Sequence, residues 1–422
     1  MTYIHRALED TIKPYLDRKE AISIIGPRQA GKTTFVQKLI ESIGQTKKIK
    51  FITFENQADL NLFNSDIESF KNIITQYDLV TIDEFQYAKD GGKNLKYLYD
   101  TTNIKFIVTG SSSLDLTFHT DKYMVGRLLS FTLPPLSFRE FLSYKDIDLW
   151  HLTNSVSTTG ISSFKPSNGF GEEINHRLTK LAEEYAVFGG YPAVITTDDK
   201  EQKKAILNNI VDKYMLKDVK ELLRLATDAE MIRLQKSLAA QIGGMVKYEA
   251  LSNACDLPFR DVKEHLAILE KTYVISLVSP FFRNKQTDIS KNPKVYFFDL
   301  GFRNSILNDF QDIEGRPDKG QIMENFAFNL MQREYVFVPN GHKTALKYWR
   351  SKSKAEVDFV IENGPELLPI EIKYSSNKVA GKSMYSFINR FEPPLAVILT
   401  KDFTAEDKID NTRVIYAPIT YF

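Results

Sequence analysis

The chain has a single cysteine, Cys255, among its 422 residues. That excludes an intramolecular disulfide and makes a reducing compartment, the cytoplasm, the expectation. No apolar run approaches the roughly eighteen residues that cross a bilayer. The opening MTYIHRALED holds no apolar signal core, so neither export nor a membrane partner is expected. An excess of one charge is also lacking: 55 Lys and Arg against 54 Asp and Glu leave +1. Any surface for a polyanion must therefore be local. What is present is apolar substance, 43% of the residues, enough for several cores and roughly two to four domains.

The strongest pattern is Ala21–Thr34, AISIIGPRQAGKTT: a short apolar run, a glycine-bearing turn, then a helix-forming tail. Its spacing fits the phosphate-binding loop G-x-x-x-x-G-K-[ST] in its strand-loop-helix setting. Gly26 and Gly31 allow positive φ and close approach to an anion. Loop amides and the following helix N-terminus face the phosphates, so Gly26, Gly31, Lys32, Thr33 and Thr34 form the expected nucleotide set. Lys32 would reach the β- and γ-phosphates, and Thr33 would ligate Mg²⁺. ATP and Mg²⁺ are the expected ligands.

Residues 3–18 read as an amphipathic helix. Strands are expected at Lys48–Phe54, Asp78–Asp83, Ile104–Thr109 and Leu128–Leu133. The second of these ends in Asp83-Glu84, about fifty residues after Lys32, where an Asp can hold Mg²⁺ and a Glu can orient or deprotonate the attacking water. The next ends in Thr109-Gly110-Ser111-Ser112. If it lies between the two motif strands, Thr109 or Ser111 senses the γ-phosphate; a Ser-rich turn capping a helix is the plainer use.

Gly126-Arg127 precedes the fifth strand, and here the sequence resembles the AAA+ ATPases. The resemblance implies that Arg127 is an arginine finger acting on a neighbouring subunit's nucleotide, hence a homo-oligomer, a hexamer among the options. Residues 151–171, rich in Ser, Thr, Asn and Gly, read as a flexible connection. A helix is expected at Glu172–Phe188, broken by Gly189-Gly190, with Pro192 opening the next. Phe188–Pro192 also resembles a Gly-x-Pro signature that touches nucleotide near the lid of some signalling ATPases.

In order along the chain, GPRQAGKTT, VTIDEFQ, TGSSS, PLSFREF, FGGYP, KVYFFDLGFRN, MEN, EVDFVI and IEIK resemble a prokaryotic family of AAA+ ATPases fused to the domain of unknown function 4143. Glu230–Val278 has a winged-helix rhythm, with helices Tyr248–Cys255 and Phe259–Lys271 and a strand pair, Tyr273–Val278 and Lys294–Phe298. Arg260, Lys263 and Lys271 would contact DNA from the second helix, and Arg283, Lys285 and Lys291 from the wing. Nine basic against seven acidic residues over 236–300 give only +2, so a packing module stands beside the DNA reading.

Near the C-terminus, Glu356–Glu362 alternates, turns at Asn363-Gly364-Pro365-Glu366, and continues as LLPIEIK, a hairpin signal. With Glu362 opposite Leu367, Asp358 faces Glu371 and Glu356 faces Lys373. Facing carboxylates are unfavourable unless something sits between them, and a divalent metal would serve. The pattern resembles the PD-(D/E)XK nucleases. It implies Glu324, Asp358 and Glu371 as metal ligands and Lys373 as the catalytic lysine beside the water. A solvated charged face, with Glu356–Lys373 as a weak ion pair, is the competing reading.

The expected architecture is α/β throughout: an AAA+ P-loop core (1–144), a linker and helical lid (145–229), a winged helix (230–298) and a restriction-endonuclease-like domain (299–422). The first functional reading is an ATP-hydrolysing enzyme, with catalytic Glu84, Asp83 and Arg127, that processes or remodels branched or double-stranded DNA. The second is a regulatory ATPase whose C-terminal domains bind a protein partner without chemistry.

Overall fold

The structure, a computed structural model, describes residues 3–44, 47–111, 123–157, 163–214, 228–283, 291–333, 345–364, 366–377 and 380–422. Ser112 and Lys285, singled out above, lie outside the described residues. The chain forms two units: Met1–Leu136 with Ala267–Val274, and Ser137–Leu266 with Ile275–Phe422.

The first unit begins with α1 (Ala7–Ile12), shorter than the expected 3–18. Pro14 has no amide hydrogen to continue the helix, and Lys13–Tyr15 tightens into a 3-10 turn. Then follow β1 (Ala21–Ile25), α2 (Lys32–Ile43), β2 (Ile49–Thr53), α3 (Gln57–Ser65), α4 (Ile67–Ile74), β3 (Leu79–Asp83), α5 (Gly91–Thr101), β4 (Lys105–Gly110) and β5 (Leu128–Thr132). The strands form a parallel sheet in the order β2-β3-β4-β1-β5. β4 therefore lies between the two motif strands, as the sequence leads one to expect. Every residue of β1, β3 and β4 is buried, because helices cover both faces of such a sheet. Phe35, Val36 and Leu39 of α2 pack on Ile22 and Ile24. On a second core, Phe54, Phe63 and Phe85 cluster with ring centroids 4.9–5.8 Å apart. Each ring contributes about 1.5–3 kcal/mol by burial.

The second unit contains α6 (Phe138–Lys145), α7 (Ile147–Ser157), α8 (Glu172–Phe188), α9 (Pro192–Ile195), α10 (Lys200–Lys213), α11 (Asp228–Ala240), α12 (Tyr248–Cys255) and the start of α13 (Phe259–Lys271). It continues with β6 (Ile275–Val278), β7 (Lys294–Phe297), α14 (Leu300–Leu307), α15 (Lys319–Met331), β8 (Leu346–Arg350), β9 (Glu356–Asn363), β10 (Glu366–Lys373), α16 (Lys382–Phe391), β11 (Leu395–Thr400), β12 (Ala405–Ile409) and β13 (Thr412–Pro418). The expected loop at 151–171 needs correction, since α7 runs to Ser157. Leu149 and Val156 are buried, and Thr153 donates back to the Leu149 carbonyl at 3.0 Å, so its hydroxyl does not break the helix.

Gly189 and Gly190 end α8 as expected, but for a reason outside the local sequence. Gly189 has φ +72°, and a Cβ there would lie 2.1 Å from Asp299 Oδ1. Gly190 N donates to Asp299 Oδ2 at 2.7 Å, and Asp299 Oδ1 accepts from Phe302 N at 2.9 Å, capping α14. The glycine pair thus holds a buried carboxylate. Burial raises the pKa of Asp299 against these amide bonds, which lower it.

The six-stranded sheet has the order β12-β13-β11-β10-β9-β8, parallel along β10-β11-β13 and antiparallel elsewhere. Glu362 pairs with Leu367, the expected register, through Phe359 opposite Ile370. Gly364, at φ +62°, supplies the turn that an L-residue adopts reluctantly.

Candidate nucleotide site and acid cluster

β1 delivers the loop that starts at Gly26, whose φ is +153°; a Cβ there would lie 2.2 Å from the Leu133 carbonyl oxygen. Gly31, at φ +90°, caps α2. Lys32, buried, donates to the carbonyls of Gly26 (3.0 Å) and Pro27 (2.9 Å). Its ammonium is held inside the loop, where anionic oxygens can replace those carbonyls as partners. Arg6, missed in the sequence, braces the loop by donating to Ala30 O at 3.1 Å and to the Pro134 carbonyl. A lone Arg ahead of a short helix gives no signal of that role.

Asp83 ends β3 and both its oxygens are engaged. Oδ2 accepts from the Thr33 hydroxyl at 2.7 Å, and Oδ1 from the Thr109 hydroxyl at the end of β4. Glu84 follows with φ +53°, a left-handed backbone, and accepts from the Gln86 side-chain amide. Left-handed non-glycine residues cost roughly 1–3 kcal/mol and cluster at working sites. Ser111 is buried just past β4, while Thr34 is exposed on the first turn of α2. Lys32, Thr33, Asp83 and Thr109 are thus brought together, and Thr34 stands apart from them. Arg127 precedes β5 and donates to Asp100 at 3.0 Å. A parallel sheet ending in this loop, with an acid on the strand two places away, defines the P-loop nucleotide-binding class of the ATPase type.

The C-terminal acids form a different arrangement. Lys294 of β7, 2% exposed, places its ammonium 2.6 Å from Glu356 Oε1, 3.0 Å from Glu324 Oε1 of α15 and 3.9 Å from Asp358 Oδ1. Tyr296 donates its hydroxyl to Glu324 Oε1. Asp358 Oδ2 accepts from Ile372 N at 2.8 Å. Burial, then the nearby Glu324, pushes the Asp358 carboxyl up to about 8, against Lys294 and that amide. Burial would lower the Lys294 pKa, but Glu324, Asp358 and Glu356 hold it above the ordinary value.

Glu356 pairs with Lys294 and, at 3.3 Å, with Arg350, not with Lys373. Lys373 pairs with Glu371 at 2.7 Å. Glu371 Oε2 is buried and accepts no hydrogen bond among the described residues. Among the described residues, no group of three or more His, Cys, Asp or Glu could hold a metal ion. The expected Glu324–Asp358–Glu371 metal set does not fit, because the Lys294 ammonium lies against Glu324 and Asp358 while Glu371 is paired with Lys373. Lys294, opening an otherwise apolar strand, was the signal in the sequence.

On the segment where a winged helix is expected, Lys247, Tyr248, Glu249, Phe259, Lys263 and Lys291 are among the residues that line a groove of about 520 Å³. The Lys263 ammonium lies 4.8 Å from the Phe259 ring centroid and 5.4 Å from that of Tyr248. Arg260, Lys263 and Lys271 are exposed.

Comparison with known proteins agrees with the class. Residues 18–142 match the AAA domain family, 179–312 the domain of unknown function 8612, and 319–422 the domain of unknown function 4143. An uncharacterized protein of Methanocaldococcus jannaschii is 25% identical over 420 residues, 95% of this chain and 85% of its own. One of Mycobacterium tuberculosis is 25% identical over 375 residues, 88% and 74% respectively. Among solved structures, a Walker-type ATPase of Pyrococcus abyssi aligns at 13% identity and TM-score 0.45, over 72% of this chain and 96% of its own. The Aeropyrum pernix Orc1 protein, solved in complex with DNA, aligns at 11% identity and TM-score 0.28, over 72% and 90%. No helix among the described residues is long and apolar enough to cross a membrane.

Proposed function

We propose that this chain is an ATP-hydrolysing AAA+ ATPase that works as a homo-oligomer on DNA. The observation that carries the first part is the Thr33–Asp83–Thr109 network beside the Lys32 loop. Thr33 and Asp83 set hard oxygens side by side and would hold Mg²⁺, which polarises the phosphates. Lys32 binds the β- and γ-phosphates, Glu84 orients the attacking water, and Thr109 and Ser111 register the γ-phosphate.

The position of Arg127 supports a role at a neighbour's nucleotide rather than its own. Leu128, beside it, pairs with Ala21 at the start of β1, whereas the phosphate loop leaves after Ile25, roughly 13 Å further at about 3.3 Å per residue. Its bond to Asp100 joins two partly exposed groups, 37% and 36% accessible, and costs at most about 1 kcal/mol to break.

The groove of Lys247, Lys263 and Lys291 with its two aromatic rings supports the DNA reading: lysines neutralise phosphates and rings stack on bases. For the C-terminal domain, a helix, three antiparallel strands, a helix and a parallel strand carry Asp358 and Glu371-Ile372-Lys373 on adjacent strands. That arrangement supports a nuclease-like fold, although the acid cluster argues against a bound metal.

The test is ATP turnover with no DNA and with linear and branched DNAs. Turnover that rises several-fold with DNA is expected. Turnover indifferent to every DNA would overturn the DNA part and leave the regulatory alternative.

A further inference from the structure

The acid cluster of the second unit contains its own cation. Three elements far apart in sequence converge on it: β7 with Lys294, α15 with Glu324, and β9 with Glu356 and Asp358. Carboxylates this close are not stable together in a dry site without a counter-charge. The ammonium is 2% exposed, so water does not supply it. The surroundings hold the lysine in place. Its own residue bridges to Met245, its ammonium lies 5.6 Å from the Tyr348 ring centroid, and Tyr348 donates to Asn292 O at 2.7 Å. Gly243, at φ +69°, passes so close that a Cβ would lie 3.2 Å from Glu324 Oε2.

We propose that Lys294 is a built-in replacement for a divalent cation, filling with an ammonium the position among Glu324, Glu356 and Asp358 that a metal would otherwise take. Several points favour this over an ordinary ion pair. One ammonium serves three acids on two elements, where a pair needs one. The acids supply hard oxygens suited to Mg²⁺ or Mn²⁺. Glu371, next along β10 after the Phe359–Ile370 pair, keeps a buried oxygen with no hydrogen bond among the described residues. The cation is covalently part of the β6–β7 hairpin, so it ties that hairpin to the C-terminal sheet and cannot be lost to a chelator. The inference is independent of the ATPase reading, since nothing in it requires nucleotide.

The test is Mn²⁺ binding, read by electron paramagnetic resonance and thermal unfolding, on full-length nucleotide-free chain in a Lys32→Ala background. With Lys294 present, Mn²⁺ binding that depends on Asp358 is not expected. Lys294→Met should gain one Mn²⁺ site, lost again in Lys294→Met/Asp358→Asn. At Mn²⁺ a hundredfold above its dissociation constant, the gain should raise the melting temperature by roughly 5–10 °C. If Lys294→Met folds only with Mn²⁺ present, the proposal is supported. If it folds in neither condition, Lys294→Gln/Glu356→Gln, which removes one charge of each sign, takes its place. An Asp358-dependent Mn²⁺ site in the Lys294-containing protein would overturn the proposal. So would a folded Lys294 variant that gains no Mn²⁺ site.

Discussion

The Thr33 hydroxyl donates to Asp83 Oδ2 at 2.7 Å, joining the phosphate loop to the end of β3 across 50 positions of sequence. With Thr109 bonded to the other oxygen, the Asp83 carboxylate is oriented by hydroxyls on both sides. A carboxylate fixed in this way needs little reorganisation when charge arrives. Thr109→Val should therefore keep nucleotide affinity and lower the turnover number by roughly 10–100-fold, the usual cost of losing a supporting partner. Nucleotide binding and steady-state turnover measured on the same preparation separate the two effects. Unchanged turnover would show that Thr109 is merely a buried hydroxyl.

Arg127→Ala should bind ATP normally and fail to turn it over. Mixing it with Lys32→Ala protein should restore part of the activity, because mixed oligomers contain sites with an intact loop and an intact neighbouring Arg. A protein that stays monomeric at every concentration, with and without ATP, would contradict this.

Gly44 and Gly189 make a matched pair, with φ and ψ of +73° and −171° at Gly44 and +72° and −166° at Gly189. Alanine at either meets the same backbone strain, about 1–3 kcal/mol. At Gly44 no atom of the described residues lies within 4 Å of the added Cβ, whereas at Gly189 it meets Asp299 at 2.1 Å. Gly189→Ala should be the more destabilising, by at least the roughly 1 kcal/mol of the α14 cap that Asp299 supplies. Denaturant midpoints of the two variants compare them directly, and equal losses would refute the role given to Asp299.

Burial, then Glu324, pushes the Asp358 carboxyl up to about 8 in the folded chain, against an ordinary value of about 3.9. A raised folded value means the unfolded chain releases this proton first. Asp358 therefore stabilises the fold fully below about pH 4, and that contribution is lost as pH rises through about 8. Asp358→Asn carries no proton to lose, so it should gain on the wild type between pH 5 and pH 9. Melting temperatures at pH 5, 7 and 9 test the sign, and a variant that falls further behind as pH rises would contradict it.

The candidate nucleotide site is legible in the sequence because its residues are local: glycines, Lys32 and Thr33 lie within eight positions, and Asp83 marks a strand end. The hairpin register followed from alternation and the Asn-Gly turn, and it holds as far as Phe359 opposite Ile370. Beyond that the strand's partners come from elsewhere. The Asp358 side chain accepts from Ile372 N, and Glu356 takes Lys294 from a strand about sixty positions earlier. No pairwise count along the hairpin could anticipate a third element. The polar stretch 151–157 looked loop-like by composition, yet two buried apolar anchors, Leu149 and Val156, and the back-bonding of Thr153 make it helical. The Gly189-Gly190 stop was correctly placed, but its cause, Asp299, lies 109 positions beyond Gly190.

The central claim is that the Lys32 loop and the Asp83-Glu84 strand end form a working ATP site. Its most direct test is a single measurement: Mg²⁺-dependent ATP turnover alongside bound nucleotide, in wild type, Lys32→Ala and Glu84→Gln. The account expects turnover in the wild type, neither binding nor turnover in Lys32→Ala, and retained ATP in Glu84→Gln with turnover slowed by roughly 10²–10⁴-fold. Glu84→Gln turning over at the wild-type rate, or wild type no faster than Lys32→Ala, would contradict it.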